Sequence, residues 1–479
     1  MEDNEAMLRT TASNRRIVIW NAAGSAVYAL SSFLLLIIVI RVCGEVEGGI
    51  FSIGYAIAQL MLTVGVFEST TYFATDAGNR FSYAQYLAFK IATCALMVAA
   101  SAVYVLSFGF DAHKAAVAYA LVAYRLFEAL AQYWFAAFQK EERLDLGGFS
   151  TVWRSVLSIA AFAAVLVLSH DVVGAMVAAS LVEAVWIAAY DVPRLRRIVQ
   201  VGRPDFSPKP LARLFLACLP LFVSSFLAAY LGNVCKYAIE AAGTEQMQTV
   251  FNVLFMPSFV INLFMIFLMR PTLTRLAKLW LGHEARPFLR IIGRLLLAVA
   301  GITVAVVGVC AVVGIPVLEL LYGIDLDAYL MPLLVVLLGG GFLSASNVFY
   351  NAMVVIRTQN AVVVGYVGAI VVATLVSVPL VEAAGVTGAS VAYALSCLVL
   401  AVLFAGLFAF GATRRIKGWG AGACRPQGTG EALAGDGSPA KDGKRAGKEA
   451  PAEDDVTVAT TPRAPVLTSG TEEEEPAEA

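Results

Sequence analysis

Apolar residues run almost unbroken for about 20 positions at a time, the length that crosses a bilayer as a helix, and such runs recur about twelve times along the chain. They fall at 17–40, 50–73, 85–108, 115–138, 151–169, 172–190, 211–234, 248–269, 291–318, 329–353, 361–381 and 386–410. Unbroken runs predict helices; a membrane strand would show short segments of alternating character. Ser224, Ser225 and Phe226 in the seventh run repeat Ser31, Ser32 and Phe33 of the first, and each triplet leads to a lone cation, Lys236 or Arg41. With the long basic connection before Leu211, this repeat marks a junction between two halves. The divisions read as a cytoplasmic N-terminus at 1–16, a six-helix lobe at 17–190, a basic linker at 191–210, a second six-helix lobe at 211–410 and a disordered cytoplasmic tail at 411–479.

Polar positions inside the runs follow the helical repeat. Asn21, Ser25, Tyr28 and Ser32 share one face of the first span, and Ser52, Tyr55, Gln59, Thr63 and Thr70 one face of the second. Ser225, Asn233, Lys236 and Glu240 do the same on the seventh, and Gln248, Asn252, Asn262 and Arg270 on the eighth. Polar groups are costly against lipid and turn toward protein or a wet cavity. A cavity between two six-helix bundles, lined by these four helices, accommodates all four stripes. Arg125, Glu128, Gln132 and Gln139 lie along the fourth span, Arg154 opens the fifth and Glu183 lies within the sixth. Arg125 and Glu128 fit either an internal charge pair that fastens a bundle or a cavity role, and the Asn and Ser residues also suit glue between helices. Glu68, Glu240 and Lys90 can snorkel to the interface, the preferred reading for Lys90.

Composition agrees with the runs. Hydrophobic residues make up 59% of the chain and charged ones only 14%, against about 25% charged in a soluble domain. Lysines and arginines concentrate in alternate loops, from Arg15 and Arg16 through the cluster at 194–213 to Arg414 and Arg415, whereas the opposite loops are mostly acidic. The positive-inside rule then places both termini in the cytoplasm, which requires an even number of spans. Six of the seven cysteines lie in or beside apolar runs, without a CxxC, and only three histidines accompany them, so no metal centre or disulfide framework is expected. No loop is long enough for a catalytic or nucleotide-binding domain, and no GxxxxGK[ST] is present. The pattern points to transport within the membrane, with no enzyme activity, no cofactor and no nucleic-acid partner.

Four segments resemble a known family. GEVEGGIFSIGYA at 44–56, GIPVLELLYGIDLDAY at 314–329, NAMVVIRTQN at 351–360 and GVTGASVAYALS at 385–396 are similar, in this order, to segments of the O-antigen and polysaccharide flippases. These belong to the MATE-like multidrug/oligosaccharidyl-lipid/polysaccharide exporter superfamily. The resemblance covers about residues 15 to 415. It implies an all-α integral membrane protein of about 12 transmembrane helices, in two six-helix lobes related by pseudo-twofold symmetry about a V-shaped central cleft. The implied cargo is a polyprenyl-pyrophosphate-linked oligosaccharide crossing the plasma membrane to the outer leaflet, with membrane lipids and polysaccharide polymerase or transferase proteins as partners.

A pyrophosphate needs cations and a sugar needs neutral hydrogen-bonding groups. Arg41, Arg125, Lys236, Arg270 and Arg357 are available for the first, and Asn21, Gln59, Asn233, Asn252 and Asn262 for the second. Glu128, Glu68 and Glu183 are candidate proton or sodium sites, Glu128 foremost because Arg125 partners it. Rival readings are a multidrug or organic-cation exporter of the same superfamily, which favours acidic and aromatic linings, a lipid II-type flippase, and a membrane polysaccharide polymerase or ligase.

Overall fold

The computed structural model describes residues 14–422 apart from Ala77, and, within helices, all but a few side chains, Arg270 being among those left out. Of the N-terminus expected at 1–16 and the tail expected at 411–479, residues 1–13 and those beyond 422 lie outside the described residues, while 14–16 and 411–422 are helical. Helices, in order, are α1 (Asn14–Cys43), α2 (Glu45–Val66), α3 (Ser69–Thr75), α4 (Tyr83–Ser107), α5 (Ala112–Lys140), α6 (Leu144–Ser169), α7 (Val172–Trp186) and α8 (Val192–Ile198). Then come α9 (Pro208–Ala242), α10 (Glu245–Phe255), α11 (Ser258–Leu281), α12 (Ala285–Tyr322), α13 (Leu330–Val355) and α14 (Gln359–Gly422).

Among the described residues nine helical stretches are long and apolar enough to cross a membrane, so the chain is a multi-pass membrane protein. Two further expected spans are helical and carry charged or polar residues within them: α5 carries Arg125, Glu128 and Gln132, and α11 carries Arg270, Arg275 and Lys278. The last two expected spans are joined in α14, whose single non-helical residue is Gly385 (φ 56°, ψ −128°). That backbone is open to glycine and strained for other residues. The chain doubles back there, since Tyr366 meets Phe404 edge-on at 5.1 Å across the two arms.

In hydrocarbon each backbone polar group must be satisfied internally, so helix ends and breaks reveal where other groups intervene. Ser82 and Gln85 form a reciprocal cap at the start of α4, and Asp111 and Asp171 cap α5 and α7. The second expected span is interrupted where Phe67 and Glu68 both take left-handed backbone (φ 47° and 51°). Lys90 of α4 donates to the freed Gly65 and Val66 carbonyls, each at 3.1 Å, and Thr93 donates to Gly65 at 2.9 Å. The snorkelling reading of Lys90 is therefore wrong: it is 2% exposed and caps a broken helix. The eighth span is likewise divided at Met256–Pro257, between α10 and α11. The sixth runs on through a π-helical turn, Ile187–Asp191, into α8.

α1 packs on α6, α2 on α5 and α5 on α7, while α9 and α13 both pack on α14 and α12 on α13. α2 is the principal bridge between the groups, through α9 and α10. The connection at 199–207 is tied back to α4: Gln85 donates to Asp205 at 3.1 Å, and Asp205 N–H to the Ala84 carbonyl at 3.1 Å. The Ser207 hydroxyl and Gln85 hold the Asp205 carboxyl below its ordinary range.

The α2–α10 crossing is backbone against backbone. A Cβ on Gly49 would stand 2.1 Å from the Glu245 carbonyl oxygen, so only glycine permits this approach. Gly49→Val is expected to pry the crossing apart at a cost of about 1–3 kcal/mol, read as a lower unfolding temperature in detergent; an unchanged temperature would mean that the crossing is loosely packed.

Candidate transport site at the seam between the helix groups

The site begins with two charges one helical turn apart. On α5 the three-residue spacing puts Arg125 and Glu128 on one face, and both are 3% exposed. The Arg125 guanidinium donates to Glu128 and to the Tyr55 hydroxyl of α2, and it lies over the Tyr55 ring, 4.5 Å from its centroid. Tyr28 of α1 donates to the other Glu128 oxygen. Two polar stripes legible in the sequence thus end on one buried ion pair. Burying charges is favourable only with such extra hydrogen bonds, because desolvation offsets most of the Coulomb attraction.

A second pair lies beside it. Arg154 Nε of α6 is 3.7 Å from Glu183 Oε2 of α7, close enough for charge attraction but too far for a good hydrogen bond. Asp191, in the π-helical turn, is 2% exposed, and its Oδ1 has no hydrogen-bond partner among the described residues. A cavity of about 130 Å³ adjoins these groups; Asn21, Ser25, Tyr28, Gln132, Arg154 and Asp191 are on its wall. It is polar and roomy enough for water to reach buried carboxyl and guanidinium groups.

The seam between the helix groups is closed at the end carrying the acidic loops. Lys114 of α5 sits between Glu240 of α9, at 2.5 Å, and Glu245 of α10, at 2.8 Å. Thr249 donates to the Glu45 carbonyl at 2.5 Å, Asn252 to Ser52 at 2.8 Å and Tyr237 to the Ala56 carbonyl at 3.3 Å. Deeper along α9, Ser225 donates to Glu68 at 2.5 Å and Phe222 stacks on Phe67 with centroids 4.1 Å apart. The α9 stripe therefore touches the other group at both ends.

The expected cations divide into different roles. Lys236 lies between those two contacts on the α9 stripe, 8% exposed, with its ammonium 5.3 Å from the Phe255 ring centroid. Among the described residues no carboxylate lies within ion-pair reach of it. Arg41 is instead a helix cap: its side chain donates to the Leu320 and Leu321 carbonyls at the end of α12, the latter at 3.0 Å. A cation at a helix C-terminus meets both free carbonyls and the negative dipole end. Arg357 is exposed in the turn after α13, where its carbonyl accepts from Arg415 at 3.1 Å. The Arg270 side chain falls outside the described ones.

Of the neutral residues, Asn21 borders the cavity and Asn252 joins α10 to α2. Asn262 accepts from Asn347 at 3.2 Å, Asn233 donates to its own helix at the Ala229 carbonyl, and Gln59 is half-buried on α2. The carboxylates Glu128 and Glu183 join the buried cluster, whereas Glu68 occupies the break after α2. Glu240 does not snorkel; it is held by Lys114. Sequence reasoning singled out neither Asp191 nor Lys114. The signal available for both was an ionisable residue at the edge of an apolar run.

No protein-family model and no curated protein matches the sequence. Solved structures do match in fold. An inward-facing multidrug resistance MATE transporter of the MOP superfamily aligns with TM-score 0.62 and 14% identity over 82% of this chain and 96% of that one. An outward-facing MATE transporter of the same superfamily gives 0.56 and 16% over 87% and 98%. A MOP superfamily transporter from Pyrococcus furiosus, described as having a binding pocket of reverse polarity that suggests a different function, gives 0.53 and 16% over 84% and 95%. At such identities the likeness is one of fold, and it extends over nearly the whole of each neighbour. This chain is an all-helical, multi-pass membrane protein with the fold of the MATE transporters.

Proposed function

We propose that the chain moves a polyprenyl-pyrophosphate-linked oligosaccharide from the cytoplasmic to the outer leaflet of the plasma membrane by alternating access, its basic loops and both termini lying in the cytoplasm. The observation carrying this reading is Lys236. Arg125, Arg154 and Lys114 each stand against a carboxylate of this chain; Lys236 has an aromatic face beside it and no acidic partner among the described residues. A buried cation without a counterion favours an anionic ligand, and a pyrophosphate supplies one. Half-buried Gln59 and Asn233 offer hydrogen bonds suited to sugar hydroxyls. Closure of the seam at the acidic-loop end corresponds, in this orientation, to a state shut toward the outside.

Coupling to protons or sodium is assigned in this reading to Glu128 first, then Glu183 and Glu68. Glu128 connects α1, α2 and α5 through Tyr28 and Arg125, so a change in its charge is felt on three helices at once.

The test uses purified protein in liposomes with a fluorescent polyprenyl-pyrophosphate oligosaccharide, followed as it appears in the opposite leaflet. Wild type is expected to move it, and Lys236→Ala to lose at least about ten-fold in rate, the equivalent of one charge-assisted contact, while Arg41→Ala retains more activity because Arg41 caps a helix. No movement by wild type, together with gradient-driven export of small cationic dyes, overturns the reading in favour of a multidrug exporter.

A further inference from the structure

A second depression lies away from the buried charges, on the outer face of the seam. It is a groove of about 610 Å³ whose wall is almost wholly apolar. Its floor combines Met61 and Val64 of α2 with Phe226 of α9, so it straddles the two helix groups. One side is the α4 face from Leu96 to Ser107, where Ala99 and Ala100 leave a hollow between larger neighbours. Met61 and Val64 are buried at its base, whereas Leu96 and Val103 stand exposed on its rim.

These helices cross a membrane, so the medium against this groove is hydrocarbon, and a hollow that no side chain fills loses dispersion contacts on one side. Length narrows the occupant. From Leu96 to Ser107 the groove runs about 16 Å along α4, at 1.5 Å per residue, close to half of a hydrocarbon core about 30 Å thick. That is the depth of one leaflet. It ends where α4 ends, beside a cluster of aromatic rings: Tyr104 meets Phe108 at 5.1 Å and Tyr237 at 6.3 Å, and Phe108 stacks on Phe110 at 5.1 Å. Aromatic rings gather at the level where acyl chains meet headgroups. Ser107 and Tyr104 supply the only hydroxyls on the wall, both toward that end.

We infer that this groove is a binding site for one acyl chain of a bilayer phospholipid, drawn from the leaflet on the acidic-loop side and packed against both helix groups at once. The site is independent of the cargo reading above, since it lies on the outer face of the seam and takes neither charge nor sugar. A chain that fills the hollow restores the dispersion contacts its lining otherwise lacks, so a chain lodged there belongs to the packing between the groups.

The test is photolabelling of the purified full chain in nanodiscs containing a phosphatidylcholine with a diazirine in its acyl chain, with labelled peptides identified by mass spectrometry. Expected labelling is enriched at least several-fold on residues 96–107 over equally exposed apolar positions such as Leu297, Val304 and Leu320, and Ala100→Phe abolishes the enrichment while leaving labelling at those positions unchanged. If Ala100→Phe fails to fold, Ala99→Leu is the groove-filling variant, with the same expected loss. Uniform labelling of all exposed faces overturns the inference, as does enrichment that survives filling of the groove. Protection of residues 96–107 from labelling, relative to Leu297, Val304 and Leu320, assigns the face to a second copy and overturns it equally.

Discussion

Glu128→Ala is expected to abolish transport and to cost the folded state about 3–5 kcal/mol, the usual penalty for stripping one partner from a buried ion pair. The loss leaves the Arg125 guanidinium buried with only the Tyr55 hydroxyl to receive its donors, and it removes the acceptor of the Tyr28 hydroxyl. Because that large stability effect alone would depress activity, the informative variant is Arg125→Met with Glu128→Gln. It removes both charges and keeps the volume, an exchange that in buried pairs is often neutral or stabilising. The double variant is therefore expected to unfold within a few degrees of wild type in detergent, yet to move no cargo. Folded protein that still transports would make the pair a static brace and exclude Glu128 as the coupling group. Folded protein without transport would show that charge at this point is needed by the cycle.

Why some of this could be read from residues alone, and some not, comes down to the distance between partners. The stripes on α1, α2, α9 and α10 were legible because helical periodicity is local, and the structure brings Tyr28, Tyr55, Ser52, Ser225 and Asn252 into contact with other helices. The Arg125–Glu128 pair was legible for the same reason, its members being three residues apart. The capping role of Arg41 was not legible because its partners lie some 280 residues away, at carbonyls that carry no side-chain signature. Lys90 was misread because a lysine in an apolar run ordinarily reaches for the interface, and its actual acceptors exist only because α2 breaks at Phe67 and Glu68. Nothing in that pair of residues announces the break, since neither is glycine or proline. Pro257 does announce the one between α10 and α11, by its missing N–H. Gly385 likewise lies between two runs already separated by hydropathy, where the chain turns back.

The largest conformational effect is expected from Lys114→Met. Lys114 is the sole cation between Glu240 and Glu245, with side chains 7%, 11% and 32% exposed, and its loss leaves two carboxylates facing each other at the closed end of the seam. Removing one partner from a desolvated charge cluster typically costs 2–5 kcal/mol; about 3 kcal/mol corresponds to a shift of roughly a hundred-fold between closed and open populations. The penalty falls on the closed state alone, because Lys114 and the two glutamates belong to different helix groups and part when the seam opens. The shift is readable as reactivity of Gln248→Cys, a position 1% exposed at the seam, toward a membrane-impermeant maleimide in a background where Cys43 is replaced by serine. Labelling is expected to be slow with Lys114 present and faster by one to two orders of magnitude in Lys114→Met. Lys114→Glu combined with Glu240→Lys restores one cation flanked by two carboxylates across the same seam, and is expected to return labelling toward the slow rate. Equal labelling with and without Lys114 would place the closing energy in the neutral contacts, the Gly49–Glu245 crossing and the Thr249 and Asn252 hydrogen bonds, and would leave the triad a bystander to the opening. Restoration by the exchanged pair would instead show that opposite charge across the seam, independent of which group carries it, sets how often the acidic-loop end opens.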